Sequence, residues 1–440
     1  MKLKLHWQIL IAILVGGITG WLTGEDGAFI GIHFYSVYDF VGTLFLNALK
    51  MLIVPLIASS IIVGVAGIGS SGNLGRLGGK TIGFYFMTTL AAILVGLVLI
   101  NLVRPGELHG EPVGELLALE TASAEVAAKV GGRDLSDIVE IFLRAVPPNI
   151  IAAAAEGQML GIIVFCLLFG FFMTRLEHDY AEPLMKFWTG VFHVMLRMTG
   201  WVMLFAPMGV FGLVAKTVAR TGFDAAGPLL IFAVVVLLAL CAHLFITLPL
   251  LLRYLAKVSP VAVIRAMSPA MLMAFSTASS SATLPVTMEC VEEEAGVPNH
   301  VSSFVLPLGA TINMNGTALY ECSSVLFLAQ AYGVDLSIFT QILVVVTALV
   351  TSIGVAGIPS ASLVAIAIIL AAVGLPVEAI AVLFVFDRVL DMARTSVNVF
   401  GDCCCAVIVA RLEGERVSPG LLDDARFPER LGPDQLPGKL

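Results

Sequence analysis

The chain has 440 residues, 58% of them hydrophobic and only 13% charged, and a mean hydropathy of +0.98. A soluble globular chain carries about a quarter charged residues, so this composition excludes an ordinary soluble domain and indicates a polytopic integral membrane protein. The formal net charge of −8 gives no support to nucleic-acid binding, and in such a chain the distribution of charge between loops matters more than its sum.

In chain order, the first apolar run is Trp7 to Thr23, preceded by Lys2, Lys4 and His6. Basic residues there argue for a cytoplasmic N-terminus, and with no small-residue cleavage site behind the run it reads as a first span, not a removed signal. Glu25 and Asp26 follow on the outside. A second span covers about 40 to 68, and its exit loop carries Arg76 and Lys80, which returns the chain to the positive side. Gly79-Lys80-Thr81 resembles the end of a phosphate-binding loop, but Leu74 stands where the first glycine is required. Thr81 to Val103 is a third span.

From Arg104 to Pro148 acidic residues outnumber basic ones, which fits an external loop. Met159 to Met173 belongs to a fourth span. Leu184 to Val218 reads as an amphipathic, bundle-facing helix, and Pro228 to Leu252 as an uncharged span of 25 residues. His243 within it is expected to be a satisfied core or interfacial histidine. The seven cysteines include no CxxC pair and read as small hydrophobes, not metal ligands.

The last third departs from simple spans. Between Asp335 and Glu378 lie 42 residues without a charge, about twice what one helix needs, interrupted by Ser352-Ile353-Gly354-Val355-Ala356-Gly357-Ile358-Pro359-Ser360. The earlier uncharged segment Ala266 to Met288 has its own polar break at Ser276 to Thr283, closed by Pro285. Backbone groups freed at such breaks find no partner in hydrocarbon, so both breaks should line a cavity, and paired interruptions point to a transporter's binding site. Between them, Gly309 to Thr317 contains Asn313-Met314-Asn315-Gly316, where Gly316 would let a helix unwind and present hard oxygen ligands to an alkali cation.

The densest polar feature runs from Asp387 to Asp402. At about 100° per residue, Asp387, Asp391, Arg394, Asn398 and Asp402 share an arc of roughly 80° on a helix flanked by apolar sequence. Ionisable groups at bilayer depth cost on the order of 2.5–3.5 kcal/mol each, so the stripe must face a partner, a cavity or a cargo.

With these residues in view, the sequence resembles the glutamate transporter homologue family, the dicarboxylate/amino acid:cation symporters. The resemblance rests on Ser279-Ser280-Ser281-Ala282-Thr283-Leu284-Pro285, Asn313-Met314-Asn315-Gly316-Thr317, Gly354-Val355-Ala356-Gly357-Ile358-Pro359, and the stretch from Asp387 through Asp402, four motifs in family order. It implies an all-α polytopic membrane protein with eight transmembrane helices and two re-entrant helical hairpins, at about 258–296 and 338–372. Residues 1–415 would form one transporter unit ahead of a polar tail, 416–440. A scaffold (about 1–70 and 137–225) would support a transport domain (about 76–103 and 226–415) moving by an elevator mechanism, in a homotrimer.

The same resemblance implies site residues. Arg394 would hold a substrate's side-chain carboxylate, Asp391 its ammonium and Asn398 its main carboxylate, with Thr317, Thr395, Ala278, Ser279, Ser280, Ile358 and Pro359 completing the pocket. A planar guanidinium suits bidentate carboxylate capture, in agreement. For sodium, Asp402 with Gly309, Asn313 and Asn398 resembles one site, and Thr311, Met314, Ser352, Ile353 and Val355 a second. A third family site would use Tyr85, Thr88, Thr89 and Asn313 with an aspartate at position 315, which here is Asn315. Arginine, present at position 278 or 392 in relatives, is replaced by Ala278 and Met392. Glu321, one helical turn after Thr317, resembles a proton-carrying glutamate.

The implied function is uptake of glutamate and aspartate coupled to sodium and protons across the cell's inner membrane, with no enzymatic activity and no resident cofactor. A C4-dicarboxylate symporter is the alternative substrate reading. A passive anion channel is the alternative class, opposed by the aspartates on the Arg394 face. A serine hydrolase lacks a GxSxG elbow or SxxK partner near Ser279 to Ser281.

Overall fold

The structure is a computed structural model. It describes residues 5–29, 31–69, 75–117, 119, 146–155, 159–222, 226–354 and 362–418. The described chain is almost wholly helical, its only sheet being two two-stranded hairpins in the loops, β1 (Ala28–Phe29) with β2 (Ile32–His33) and β3 (Glu107–Leu108) with β4 (Glu111–Pro112). The expected outer loop is therefore described only at its ends, and residues 120–145 lie outside the described residues, as do 355–361 and 419–440.

The first helices are α1 (Leu5–Thr23), α2 (Phe34–Gly69), α3 (Gly75–Val103), α4 (Ile150–Ala155) and α5 (Met159–Met173). The segment 184–218, read as one amphipathic helix, is two: α6 (His178–Met203) and α7 (Ala206–Thr221), bent by 55°. The physical reason is Pro207, which lacks a backbone N–H and sits in the first turn of α7, where no helical donor is required. Then α8 (Ala226–Ala242) continues through a π-helical turn, His243–Thr247, to Ala256. Next come α9 (Pro260–Thr277), α10 (Ser280–Glu289), α11 (Asn299–Ile312), α12 (Asn315–Ala331), α13 (Ile338–Gly354), α14 (Ser362–Val373) and, after a 3₁₀ segment at Val377–Leu383, α15 (Phe384–Leu412).

Among the described residues four helical stretches are long and apolar enough to cross a membrane, and a fifth if α6 and α7 count as one bent span. The protein is membrane-embedded. Packing falls into two sets. Helix α7 is covered by α1 and α2, and α2 also carries α5 and α6, whereas α12 lies against α3, α13, α14 and α15, and α15 against α9, α11 and α8. In this second set α12 is buried along its whole length and α15 along most of its own, so the polar stripe is interior to protein and not exposed to lipid.

Candidate functional site

Three local breaks position the site. Between α11 and α12 only Asn313 (φ −88, ψ 79) and Met314 (φ −105, ψ 49) leave the helical conformation. The unwinding expected at Gly316 is thus two residues earlier. Gly316 lies in the first turn of α12, where its missing side chain admits α15: a Cβ there would stand 2.9 Å from the carbonyl oxygen of Arg394. Its N–H donates to the Asn398 and Asn315 side-chain oxygens, each at 2.8 Å. The second break joins α9 to α10 through Ala278, buried and left-handed (φ 50), and extended Ser279, whose hydroxyl caps α10 by accepting from the Ala282 N–H. Ser280 is buried in the first turn. The third break, between α13 and α14, falls on 355–361, so Val355, Ile358 and Pro359 lie outside the described residues.

Helix α15 then presents two clusters. In the first, Arg394 is 0% exposed, and its Nη2 donates to Asp391 Oδ1 at 2.9 Å and to Asp387 Oδ1 at 3.1 Å. The guanidinium carbon stands 4.0 Å from the centre of the Tyr320 ring, a cation–π contact from α12. Nε and Nη1 of Arg394 make no hydrogen bond among the described residues. Arg388, which the stripe did not include, is also buried, and its Nη1 is 3.4 Å from Asp391 Oδ2. It lies about 100° around the helix from Asp387, outside the 80° arc. The sequence signal was its charge alone, since a second arginine at this depth carries the same cost as the first. Thr395 bonds the Asp391 carbonyl of its own helix at 2.8 Å.

The second cluster lies toward Asp402. Asn398 Nδ2 donates to Thr317 Oγ1 at 3.0 Å and meets Met314 Sδ at 3.3 Å, bridging α15 to the unwound segment. Asn313 Nδ2 donates to Asp402 Oδ1 at 2.9 Å. A Cβ on Gly309 would collide with the Asp402 carboxylate and stand 2.5 Å from the Tyr85 hydroxyl, so glycine is what lets α3, α11 and α15 converge here. Tyr85 donates to the Val305 carbonyl at 2.9 Å. Asp402 has no ion pair among the described residues, and the buried Asn313 Oδ1 and Asn315 Nδ2 have no partner. Thr88 and Thr89 are buried nearby in sequence on α3, Thr88 bonding its own helix at 3.0 Å. A buried carboxylate beside the unmet Asn313 amide oxygen is chemically suited to a hard monovalent cation, whereas the unmet Asn315 Nδ2 is a donor and offers it no ligand. Ser352 bonds the Leu349 carbonyl of α13 at 2.9 Å, and Thr311 and Ile353 lie in α11 and α13. The side chains of Thr311 and Ile353 lie outside the described ones.

Glu321 is completely buried on α12. Its Oε2 accepts from Thr351 Oγ1 on α13 at 3.0 Å, and Oε1 has no partner among the described residues. His243, expected to be satisfied, is buried with neither ring nitrogen partnered among the described residues. The cysteines form no disulfide, and six of the seven are buried.

Residues 5–412 match the family model described as "Sodium:dicarboxylate symporter family". The chain is 36% identical over 415 residues to the Proton/glutamate-aspartate symporter of Escherichia coli (strain K12), covering 94% of each chain. It is 35% identical to the Proton/sodium-glutamate symport protein of Geobacillus stearothermophilus (94% of this chain, 96% of the relative). With Excitatory amino acid transporter 3 of Oryctolagus cuniculus it shares 33% identity, over 93% of this chain and 86% of the relative.

Proposed function

The chain belongs to the sodium:dicarboxylate symporter family, and from that membership we propose that it is a secondary active symporter for glutamate and aspartate, coupled to sodium and protons. The observation that carries this reading is Arg394, fully buried, shared by Asp387 and Asp391, and retaining two donor nitrogens without partners among the described residues. An incoming side-chain carboxylate takes the guanidinium, and the Asp391 carboxylate released from it takes the ammonium. Asn398 holds the main carboxylate, and Thr317, Thr395, Ala278, Ser279 and Ser280, with Ile358 and Pro359, close the pocket. Because a dicarboxylate without an amino group gives the buried Asp391 carboxylate no ammonium in exchange for the Arg394 contact it takes, the amino acid is favoured over succinate.

Sodium is carried at Asp402 with Gly309, Asn313 and Asn398, and at Thr311, Met314, Ser352, Ile353 and Val355. At the third position Asn315 brings an amide instead of a carboxylate, so its cation is held weakly or not at all. A proton travels on Glu321, which is dry here and tied to α13; a carboxyl that is hydrated in one state and dry in another binds and releases a proton between them. The helices α1, α2 and α4–α7 serve as the scaffold of a trimer, α3 and α8–α15 as the moving elevator, in the cell membrane with the N-terminus cytoplasmic.

Uptake of radiolabelled aspartate into vesicles, with sodium and pH gradients imposed separately, is the test. Accumulation against a gradient under either force is expected, and equilibration without accumulation would leave a passive channel instead. Glu321→Gln should lose the pH-driven part while still exchanging internal for external substrate, and an unchanged pH dependence removes Glu321 as the carrier.

A further inference from the structure

Among the described residues Arg388 and Arg394 are the only arginine or lysine side chains that are buried, and the buried carboxyls are Glu321, Asp387, Asp391 and Asp402. Asp402 stands apart with Asn313, and Glu321, bonded by Thr351 and within electrostatic reach of Arg394, enters the balance only when it has released its proton. What remains around Arg394 is two aspartates and two arginines. The Asp391 carboxylate is divided between them, Oδ1 to Arg394 and Oδ2 to Arg388. Arg388 Nε makes no bond among the described residues, so the side chain is not explained as a saturated structural anchor. Buried arginine with incomplete hydrogen bonding is costly, and its retention calls for an electrostatic reason.

That reason lies in the charge of the cargo. An acidic amino acid carries two carboxylates and one ammonium, a net negative charge. With Arg394 alone, Asp387 and Asp391 would leave the lining negative and would repel it. With Arg388 the four groups balance.

We propose that Arg388 is a positioning residue that sets substrate charge selectivity: by compensating and orienting Asp391 it keeps the lining neutral, so that the site accepts an anionic amino acid in preference to its neutral amide. The proposal rests on the reading of Asp391 and Arg394 as the substrate-holding pair. Met392, one turn beyond Arg388 on α15, and Ala278, at the α9–α10 break, offer no charge for this role.

The experiment compares aspartate with asparagine as competitors for uptake by the full-length protein in vesicles, at saturating sodium. The two differ in the charge of one group and share the ammonium. Arg388→Gln should lower the ratio of aspartate to asparagine affinity by about tenfold, the scale of one uncompensated charge about 12 Å away at an effective dielectric near 20. Its maximum rate should stay within about twofold and its asparagine affinity should fall by less than its aspartate affinity, and Arg388→Lys, which keeps the charge, should hold the ratio within about threefold. Arg388→Met, of similar length and with no donor to satisfy, is read the same way if the glutamine variant does not fold. An unchanged ratio in the neutral variants, or an equal loss for both substrates, overturns the proposal. Asp391→Asn isolates the underlying reading, because losing the ammonium partner should weaken both substrates, asparagine the more since the lining also loses a negative charge. If it weakens neither, Asp391 is not the ammonium partner, and the Arg388 ratio still decides the charge effect by itself.

Discussion

The Arg394 and Asp402 ends of α15 are eight residues apart, about 12 Å along the helix, and they handle buried charge in opposite ways. Around Arg394 the protein supplies both signs: two aspartates, two arginines and the face of Tyr320. Around Asp402 it supplies one sign only, with an amide donor from Asn313 and that residue's own Oδ1 left unmet among the described residues. A self-compensated cluster can exchange partners with a zwitterion, since each of its charges already has an opposite to give up. An uncompensated carboxylate instead has its counter-charge delivered from outside, by a cation. The contrast supports the proposal that substrate binds at one end and the coupling ion at the other, and it can be broken by substitutions at either.

The largest effect is expected at the compensated end. Arg394→Cys leaves Asp387 and Asp391 buried without their shared partner, a loss of about 3–5 kcal/mol for such a group. Uptake of aspartate and glutamate should fall by at least about a hundredfold, with serine and alanine affected far less. Equal loss for all four in a competition assay would make Arg394 purely structural. At the other end, Asp402→Asn removes the only carboxylate of its cluster. Sodium activation should shift to concentrations at least about tenfold higher while the preference for aspartate over asparagine is kept. Loss of that preference instead would mean that the two clusters are one site.

Gly309→Ala comes next, since the added methyl meets the Asp402 carboxylate and the Tyr85 hydroxyl. Overpacking of this kind costs about 1–3 kcal/mol and should appear as a lower melting temperature together with weaker sodium activation. An unchanged melting temperature would show that α3, α11 and α15 do not approach as closely as described. The smallest effect is expected from Asn315→Asp, which restores a charge to the third cation position. It should tighten sodium by about twofold to fivefold, and no change in the sodium titration would detach Asn315 from cation binding altogether.

Much of this was legible along the chain. The five residues of the stripe are all buried on one helix, because a period of 3.6 residues and the cost of burying charge leave few arrangements open to them. The left-handed turn at Ala278 follows the polar break read at Ser276 to Thr283. The unwinding near Asn313 was legible as a motif but misplaced, because glycine marked a place of close packing there and not the place of unwinding. Arg388 was missed because a helical arc selects residues that share a direction. Buried charges also recruit partners from the edge of the arc through long side chains.

The sequence by itself determined which residues carry charge, which helices must hide it, and where glycine, proline and short polar residues interrupt the helices, since each depends on side-chain chemistry and local period. The spacing of Asp387, Asp391 and Arg394 already put three opposite charges within one another's reach. Only the tertiary structure decided the partners that come from elsewhere. Asn313 meets Asp402 across 89 residues, Glu321 meets Thr351 across 30, and Tyr85 reaches the Val305 carbonyl across 220. The physical reason is that local period sets the direction in which a side chain leaves its own helix. Which helix stands opposite is settled by the packing of all of them, and by whether a glycine such as Gly309 leaves room for the approach.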